Sequence, residues 1–450
     1  MAKKIVVLGA GLAGLSAAFF LSKKGFDVTV LEKENFVGGL AATIKKKGYL
    51  LDFGPHPFYT EKKPVLDLFK RIVGKNNIHT FERDCLLFFD NRYLNYPLTL
   101  KNALFQMGLK TTILAPVSYI KTRISRAFSK KHKSSFEEWA RSSFGDYLFE
   151  IFFKPYTEKF WGLKCSQLDA SWADARVSKV SFIRTIISLL HKPAKVESSL
   201  ERDTLPIYYP KKGIGKLADN LAKEIKKHGS RVLLKQEISA ILEKTSGFEI
   251  VSNGKKFFAD NIVSTIPLFD FVPLLSTKKP EEITAALGQL KKRALLIGYF
   301  STKKQDILKS SYIYFVGRPY HRITEIGKFS KHLCPKGKNM LSFEISCFEG
   351  DVYWNMPEKK LSRLCLSALE KDGFLEEKDI ENFFLLKARA AYPVYAVNYK
   401  KNLDPVLSFL KSIPGVYFLG RQGEYNYKDM DEVILNGKRI AEEIEKSIGY

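Results

Sequence analysis

Cysteine is scarce in this 450-residue chain: five residues, at 85, 165, 334, 347 and 365, with no Cys-x-x-Cys pair. That scatter excludes a disulfide framework and a cysteine-held zinc site, and it suits a reducing, cytoplasmic setting. The seven histidines form no cluster that reads as a metal site or a catalytic triad. No apolar run reaches the roughly 18 residues that would span a bilayer. No repeat with a period of about 20 to 50 residues and no low-complexity linker divides the chain, which excludes a solenoid or a string of modules. Acidic residues are also in deficit, 48 against 73 Lys and Arg, for a net charge of +25. The surplus favours anionic ligands such as nucleotide diphosphates, lipid headgroups or nucleic acid. No zinc knuckle, basic zipper or RNA-binding signature accompanies it, so nucleic acid is not an expected partner.

What is present begins at once. The stretch MAKKIVVLGAGLAGLSAAFFLSKKGFDVTVLEKE supplies an apolar strand, then Gly9, Gly11 and Gly14, a helical segment, a second strand and Glu32. Gly9 allows the tight turn, Gly11 lets the backbone approach a pyrophosphate, and Gly14 lets helix and strand pack closely. The helix N-terminus then faces the anion. Glu32 falls about 20 residues on, where a carboxylate accepts hydrogen bonds from ribose hydroxyls and disfavours a 2′-phosphate. Together these predict a dinucleotide clamp. The apolar start behind Lys3 and Lys4 has the look of a secretory signal, but the glycine fingerprint accounts for it better.

A second glycine pair, Gly38 and Gly39, follows in ENFVGGLAATIKKKGYLLDFGPH and can lie beside the same pyrophosphate. The pattern resembles the glutathione-reductase-type flavoproteins, whose FAD lies extended across the nucleotide domain. That resemblance implies that residues near Glu237 and Ile238, in RVLLKQEISAILEKTSGFEI, sit against the adenine. It extends to FADNIVSTIPL, a strand and turn. It ends with a closing helix that starts near Asp429, Met430 and Asp431, where the helix dipole would stabilise negative charge on a reduced flavin. The chain is too long for one ordinary domain. The predicted fold is α/β: a Rossmann-like FAD-binding domain of glutathione-reductase type with an inserted helical segment and a sheet-bearing substrate domain. The FAD-binding parts are placed at 1–80, 207–270 and 401–450, the mainly helical insert at 81–206, and the sheet-bearing substrate domain at 271–400.

Within the insert, Ser135 and Glu138 have capping-box spacing ahead of Trp139. The segment YIKTRISRAFSKKHK sets Lys121, Arg123, Arg126, Lys130, Lys131 and Lys133 among apolar residues such as Ile120 and Ile124. Such a segment suits peripheral contact with an anionic membrane or, more commonly, a solvated helix face.

Four further segments resemble the UDP-galactopyranose mutases. FKPYTEKFWGLKCSQLDASWADARV carries the family's Y-T-E-K-x-W-G stretch and a following arginine, so Tyr156, Trp161 and Arg176 fall on its substrate site. RPYHRITEIGKFS puts Arg322 on the arginine that contacts the substrate diphosphate, a role that suits a guanidinium. YPVYAVNY places Tyr392 on a diphosphate tyrosine. GRQGEYNYKDMD puts Arg421 near the flavin and Tyr425 on the phosphates. In GPHPFYT, His56 matches a flavin-side histidine, while Tyr59 stands where bacterial mutases have a second one. The resemblance implies a redox-neutral ring interconversion of a nucleotide sugar, UDP by default, in which N5 of reduced FAD attacks the anomeric carbon. An NAD(P)H-dependent reductant would keep the flavin reduced.

The stretch LSFEISCFEGDVYW looks more like the wider amine-oxidase-type flavoproteins, including protoporphyrinogen oxidases and carotenoid-type desaturases. On that resemblance the rival is an FAD oxidoreductase acting on an apolar or membrane-delivered substrate. A flavin-bearing accessory subunit is the third class.

Overall fold

The first strand forms because KIVVL is an apolar run closed by glycine, and everything else in the nucleotide half is arranged around it. In the computed structural model, which describes residues 3–96, 108–127, 134–176 and 205–448, Lys4–Leu8 is the middle of a five-stranded, wholly parallel sheet. Its order is Val416–Phe418, Asn261–Ser264, Lys4–Leu8, Asp27–Leu31, Arg231–Leu233. The strands come from three separated stretches of chain. Helix Leu12–Lys23 is buried on nearly every face because the closing helix Met430–Ile448 and helix Gly215–Lys227 both pack on it. Residues 238–259 form their own three-stranded antiparallel sheet beside the parallel one.

The other half is a seven-stranded sheet in the order Asn382–Val394, Lys291–Thr302, Asn339–Cys347, Arg322–Glu325, Tyr312–Phe315, Cys85–Phe89, Arg92–Asn95. Its neighbours are antiparallel except Tyr312–Phe315 and Cys85–Phe89. Residues 85–95, at the start of the 81–206 segment that reads from sequence as mainly helical, are strands of this sheet. CLLFFDNRYLN turns at Asp90 and Asn91, both at positive φ, and its two arms pair as a hairpin at the sheet edge.

The described part of the insert includes helices Leu109–Ala127, Phe136–Phe144, Lys154–Trp161 and Ala170–Arg176, with the short helical turns Asp146–Leu148 and Phe149–Phe153 between the second and third. The capping box forms as spaced: Ser135 Oγ accepts from the Glu138 N–H, and the Glu138 carboxylate accepts from the Ser135 N–H. The two halves are fastened at Asp52, whose buried carboxylate accepts from Thr43 Oγ1, the Tyr209 hydroxyl and the Ile214 N–H. The Tyr299 hydroxyl donates to the Asp52 carbonyl oxygen. Burial outweighs these donors and pushes the Asp52 carboxyl up to about 6.

Candidate active site

The dinucleotide clamp is built as a pair of apposed glycine turns. A Cβ on Gly14 would lie 2.0 Å from the Gly9 carbonyl oxygen, so nothing larger than glycine fits where helix Leu12–Lys23 leaves the sheet. A Cβ on Gly11, at the N-cap of that helix, would meet nothing within 4 Å. It faces an open cradle. Gly38 closes the far side: its N–H donates to the Ala10 carbonyl oxygen at 2.7 Å, and its backbone bridges to Gly11. Gly39 approaches so closely that a Cβ there would stand 3.2 Å from Gly11 Cα.

Glu32 sits at the end of strand Asp27–Leu31 and is nearly buried. One carboxylate oxygen accepts from the Ala10 N–H at 2.7 Å and the other from the Glu34 N–H at 2.9 Å. Burial raises its pKa. The 234–236 turn lies alongside, with the Gln236 N–H on the Glu32 carbonyl oxygen, so Ile238 starts its strand within a few residues of the acid. The cradle, the acid with remaining lone pairs and the helix N-terminus fit the pyrophosphate and ribose of a dinucleotide.

Beyond the cradle, between the two halves, lies a cleft lined by His56, Tyr59, Arg83, Tyr312, Tyr314, Arg322, Tyr392, Arg421, Tyr427, Asp429 and Met430, with Pro55 and Pro57. His56 donates from Nδ1 to the Gly54 carbonyl oxygen at 2.9 Å, since a carbonyl can only accept, and this leaves a lone pair on Nε2. Burial, with Arg421 and Arg322 nearby, lowers its pKa to about 4, so the ring is neutral at physiological pH. Arg322 gives its Nε and Nη2 to Glu344, each at 2.7 Å, and Glu344 is completely buried. Only the Nη1 side remains for the cleft, beside the Tyr314 hydroxyl at 3.4 Å.

Arg421 is held differently. It donates to the Lys428 and Ala391 carbonyl oxygens and lies 4.4 Å over the Tyr427 ring, which stacks on Tyr392 at 5.4 Å. Arg83 reaches the Tyr312 hydroxyl at 3.5 Å and lies over Tyr59. The Tyr59 hydroxyl donates to Asp429 at 3.1 Å, at the mouth of the closing helix. Burial raises the pKa values of Tyr312, Tyr314 and Tyr392, so their hydroxyls stay protonated and can donate.

The residues expected from sequence divide accordingly. His56, Arg322, Tyr392, Arg421, Asp429 and Met430 line one cleft. Gly9, Gly11, Gly14, Glu32, Gly38 and Gly39 gather at the cradle, while Ile238 starts the strand that follows the 234–236 turn. Tyr156 stands behind the cleft, edge-on to Tyr314. Trp161 is 1% exposed, behind Tyr392, so it supports the wall rather than forming it. Arg176 ends helix Ala170–Arg176, and its side chain lies outside the described residues. Tyr425 needs correction. Its hydroxyl is taken by the backbone, donating at the Lys291 and Val394 carbonyl oxygens and accepting from the same residues' N–H groups. Tyr427, two residues on, has the place in the cleft. Arg83, Tyr312, Tyr314 and Glu344 were not foreseen. The alternation in SSYIYF, which turns both tyrosines to one face, was the available signal.

The profile of the family described as flavin containing amine oxidoreductase matches residues 12–445. Coproporphyrinogen III oxidase of Bacillus subtilis (strain 168) is 21% identical over 94% of this chain and 94% of its own. L-amino-acid oxidase of Crotalus adamanteus is 38% identical, but over 87 residues that are 19% of this chain and 17% of that protein. Several other curated relatives are likewise matched over about a fifth of their length or less. Among solved structures, reduced UDP-galactopyranose mutase superposes with a TM-score of 0.86 at 19% identity, covering 99% of this chain and 94% of that one. Putrescine oxidase bound to putrescine gives 0.67 at 14% identity, with 99% of each chain covered. At such identities the structural likenesses establish the fold.

Proposed function

The chain belongs to the flavin-containing amine oxidoreductase family and its cofactor is FAD; on that premise we propose that it is a nucleotide-sugar mutase interconverting pyranose and furanose rings, with UDP as the default nucleotide. The carrying observation is the lining of the cleft, where three arginines and five tyrosines converge beside the mouth of the closing helix. A diphosphate and a polyhydroxylated sugar can exchange further hydrogen bonds with these groups, which an apolar substrate cannot.

Reduced FAD, when bound, supplies a nucleophilic nitrogen to the anomeric carbon. The chain's own work is to hold the departing diphosphate and aim the sugar. Arg322 is neutralised by Glu344, so Arg421, held by carbonyl oxygens, supplies cationic charge, and Nη1 of Arg322 adds a donor. The protonated hydroxyls of Tyr314 and Tyr392 supply the rest. Neutral His56 presents an Nε2 lone pair that can accept a proton or a hydroxyl. Since the isomerisation consumes no electrons, an NAD(P)H-dependent donor is needed only to reduce the flavin initially.

The full-length likeness to coproporphyrinogen III oxidase supports a second reading, flavin-dependent oxidation of an anionic or apolar substrate. One anaerobic experiment separates the two. Dithionite-reduced protein is incubated with UDP-galactopyranose and other UDP-sugars, and the nucleotide sugars are resolved by chromatography. A furanose isomer formed without net oxidation supports the mutase. No isomer from any UDP-sugar, together with oxygen uptake on a porphyrinogen, would replace it with the oxidase.

A further inference from the structure

Helix Leu109–Ala127 is turned inside out. Its buried positions are Thr111, Ala115, Tyr119 and Thr122, mostly small or hydroxylated. Thr122 Oγ1 donates to the Ser118 carbonyl oxygen and to Asp146, and Ser118 Oγ accepts from the Tyr147 N–H, so this face is tied down by polar contacts. The aliphatic residues point the other way: Ile113, Val117, Ile120 and Ile124 are 56 to 62% exposed, and Leu114 is 37% exposed. Their spacing of i, i+4, i+7 and i+11 makes one continuous stripe. A surface helix ordinarily buries such a stripe. Of ten large apolar residues exposed among the described residues, five lie on this one helix, so the clustering is local rather than scattered.

The surroundings of the stripe specify its occupant. On a helical wheel, Lys110 and Lys121 flank it on one side and Arg123 on the other, all exposed. The helix, LKTTILAPVSYIKTRISRA, contains no Asp or Glu, and the sequence continues with Lys130, Lys131 and Lys133. Its one aromatic residue, Tyr119, faces inward, so the outer face lacks the aromatic anchors on which protein interfaces depend. No helix among the described residues is long and apolar enough to cross a membrane. We propose that this helix seats the protein on an anionic lipid surface, the aliphatic stripe entering the headgroup boundary and the flanking cations meeting lipid phosphates.

The test uses the full, FAD-loaded chain in co-sedimentation with vesicles of phosphatidylcholine alone or with about a third phosphatidylglycerol. The native protein partitions to the anionic vesicles and is released by salt. Ile120→Ser/Ile124→Ser and Lys121→Gln/Arg123→Gln each lower partitioning by about tenfold or more, with flavin absorbance and melting temperature unchanged. Absence of native binding, or equal binding by the serine variant, overturns the proposal. So does a lower melting temperature of the serine variant without lipid, which would mean the stripe is covered within the molecule. A native dimer in light scattering that the serine variant dissolves would assign the stripe to a second copy instead.

Discussion

Arg322 and Glu344 are the residue pair on which the cleft turns, and they make the obvious mutation misleading. Arg322→Ala leaves a fully buried carboxylate without its cation and should cost about 3–5 kcal/mol of stability, as should Glu344→Ala from the other side. The double variant should recover most of that loss in a thermal melt. Arg421→Ala, whose partners are carbonyls, should instead keep its stability and weaken UDP binding by about tenfold or more in calorimetry. A pH titration reads two other residues. His56 has a folded pKa of about 4, below its usual 6.5, so the unfolded chain binds the extra proton and stability is lost as pH falls through that interval. Asp52 runs the opposite way: its folded pKa of about 6 lies above the usual 3.8, so its stabilisation is full in acid and lost as pH rises through about 6. Each is on the order of 3 kcal/mol, and between about pH 4 and 6 they oppose. His56→Gln should therefore lose stability with rising pH across that interval more steeply than the native protein, in urea midpoints. Sequence motifs carried Arg322, Tyr392 and Arg421 to the cleft because each lies in an ordered run of unusual residues. Glu344 was illegible, since an acid inside the strand LSFEISC carries no mark of the arginine it faces.

Elements show the same division. The strand, glycine turn, helix and acid of the first 32 residues were readable because every position in that unit is sterically or electrostatically constrained. Two glycines separate its roles. Gly14→Ala drives a methyl into the Gly9 carbonyl and should destabilise the fold itself. Gly11→Val has room in the protein, and should fold but purify without flavin, as its absorbance at visible wavelengths would show. Helix Lys154–Trp161, in the Y-T-E-K-x-W-G stretch, acts at a distance. The Lys159 ammonium donates to the carbonyl oxygens of Arg318 and Tyr320, holding the turn that delivers Arg322. Lys159→Met should raise the dissociation constant for UDP while FAD content stays full. The hairpin at 85–95 was missed because its partner strand, Tyr312–Phe315, lies more than 200 residues away and leaves no local trace. On helix Leu109–Ala127 the sequence left two readings open, a membrane-facing segment with Ile120 and Ile124 or a solvated face. Periodicity reveals that a helix has two faces and is silent on which one packs inward.

At the scale of the whole molecule, the nucleotide sheet draws on strands near residues 4–31, 231–264 and 416–418, an arrangement the resemblance to glutathione-reductase-type flavoproteins implied but whose register only the structure supplies. The glycine cradle and the mouth of the closing helix come from opposite ends of the chain, so FAD bound across them should act as a cross-brace. Stripping the flavin should lower the melting temperature, and added FAD should restore it in proportion to the logarithm of its concentration. The closing helix packing on the first one has a consequence in time. At about 5–20 residues per second a ribosome needs tens of seconds to pass from the first helix to the last. Through that interval Leu15, Phe19 and Leu21 wait for the later members of their cluster, such as Leu217 and Ile434. The nascent chain therefore holds an unfinished cofactor clamp until residues 416–448 emerge, and its early apolar face is left to chaperones.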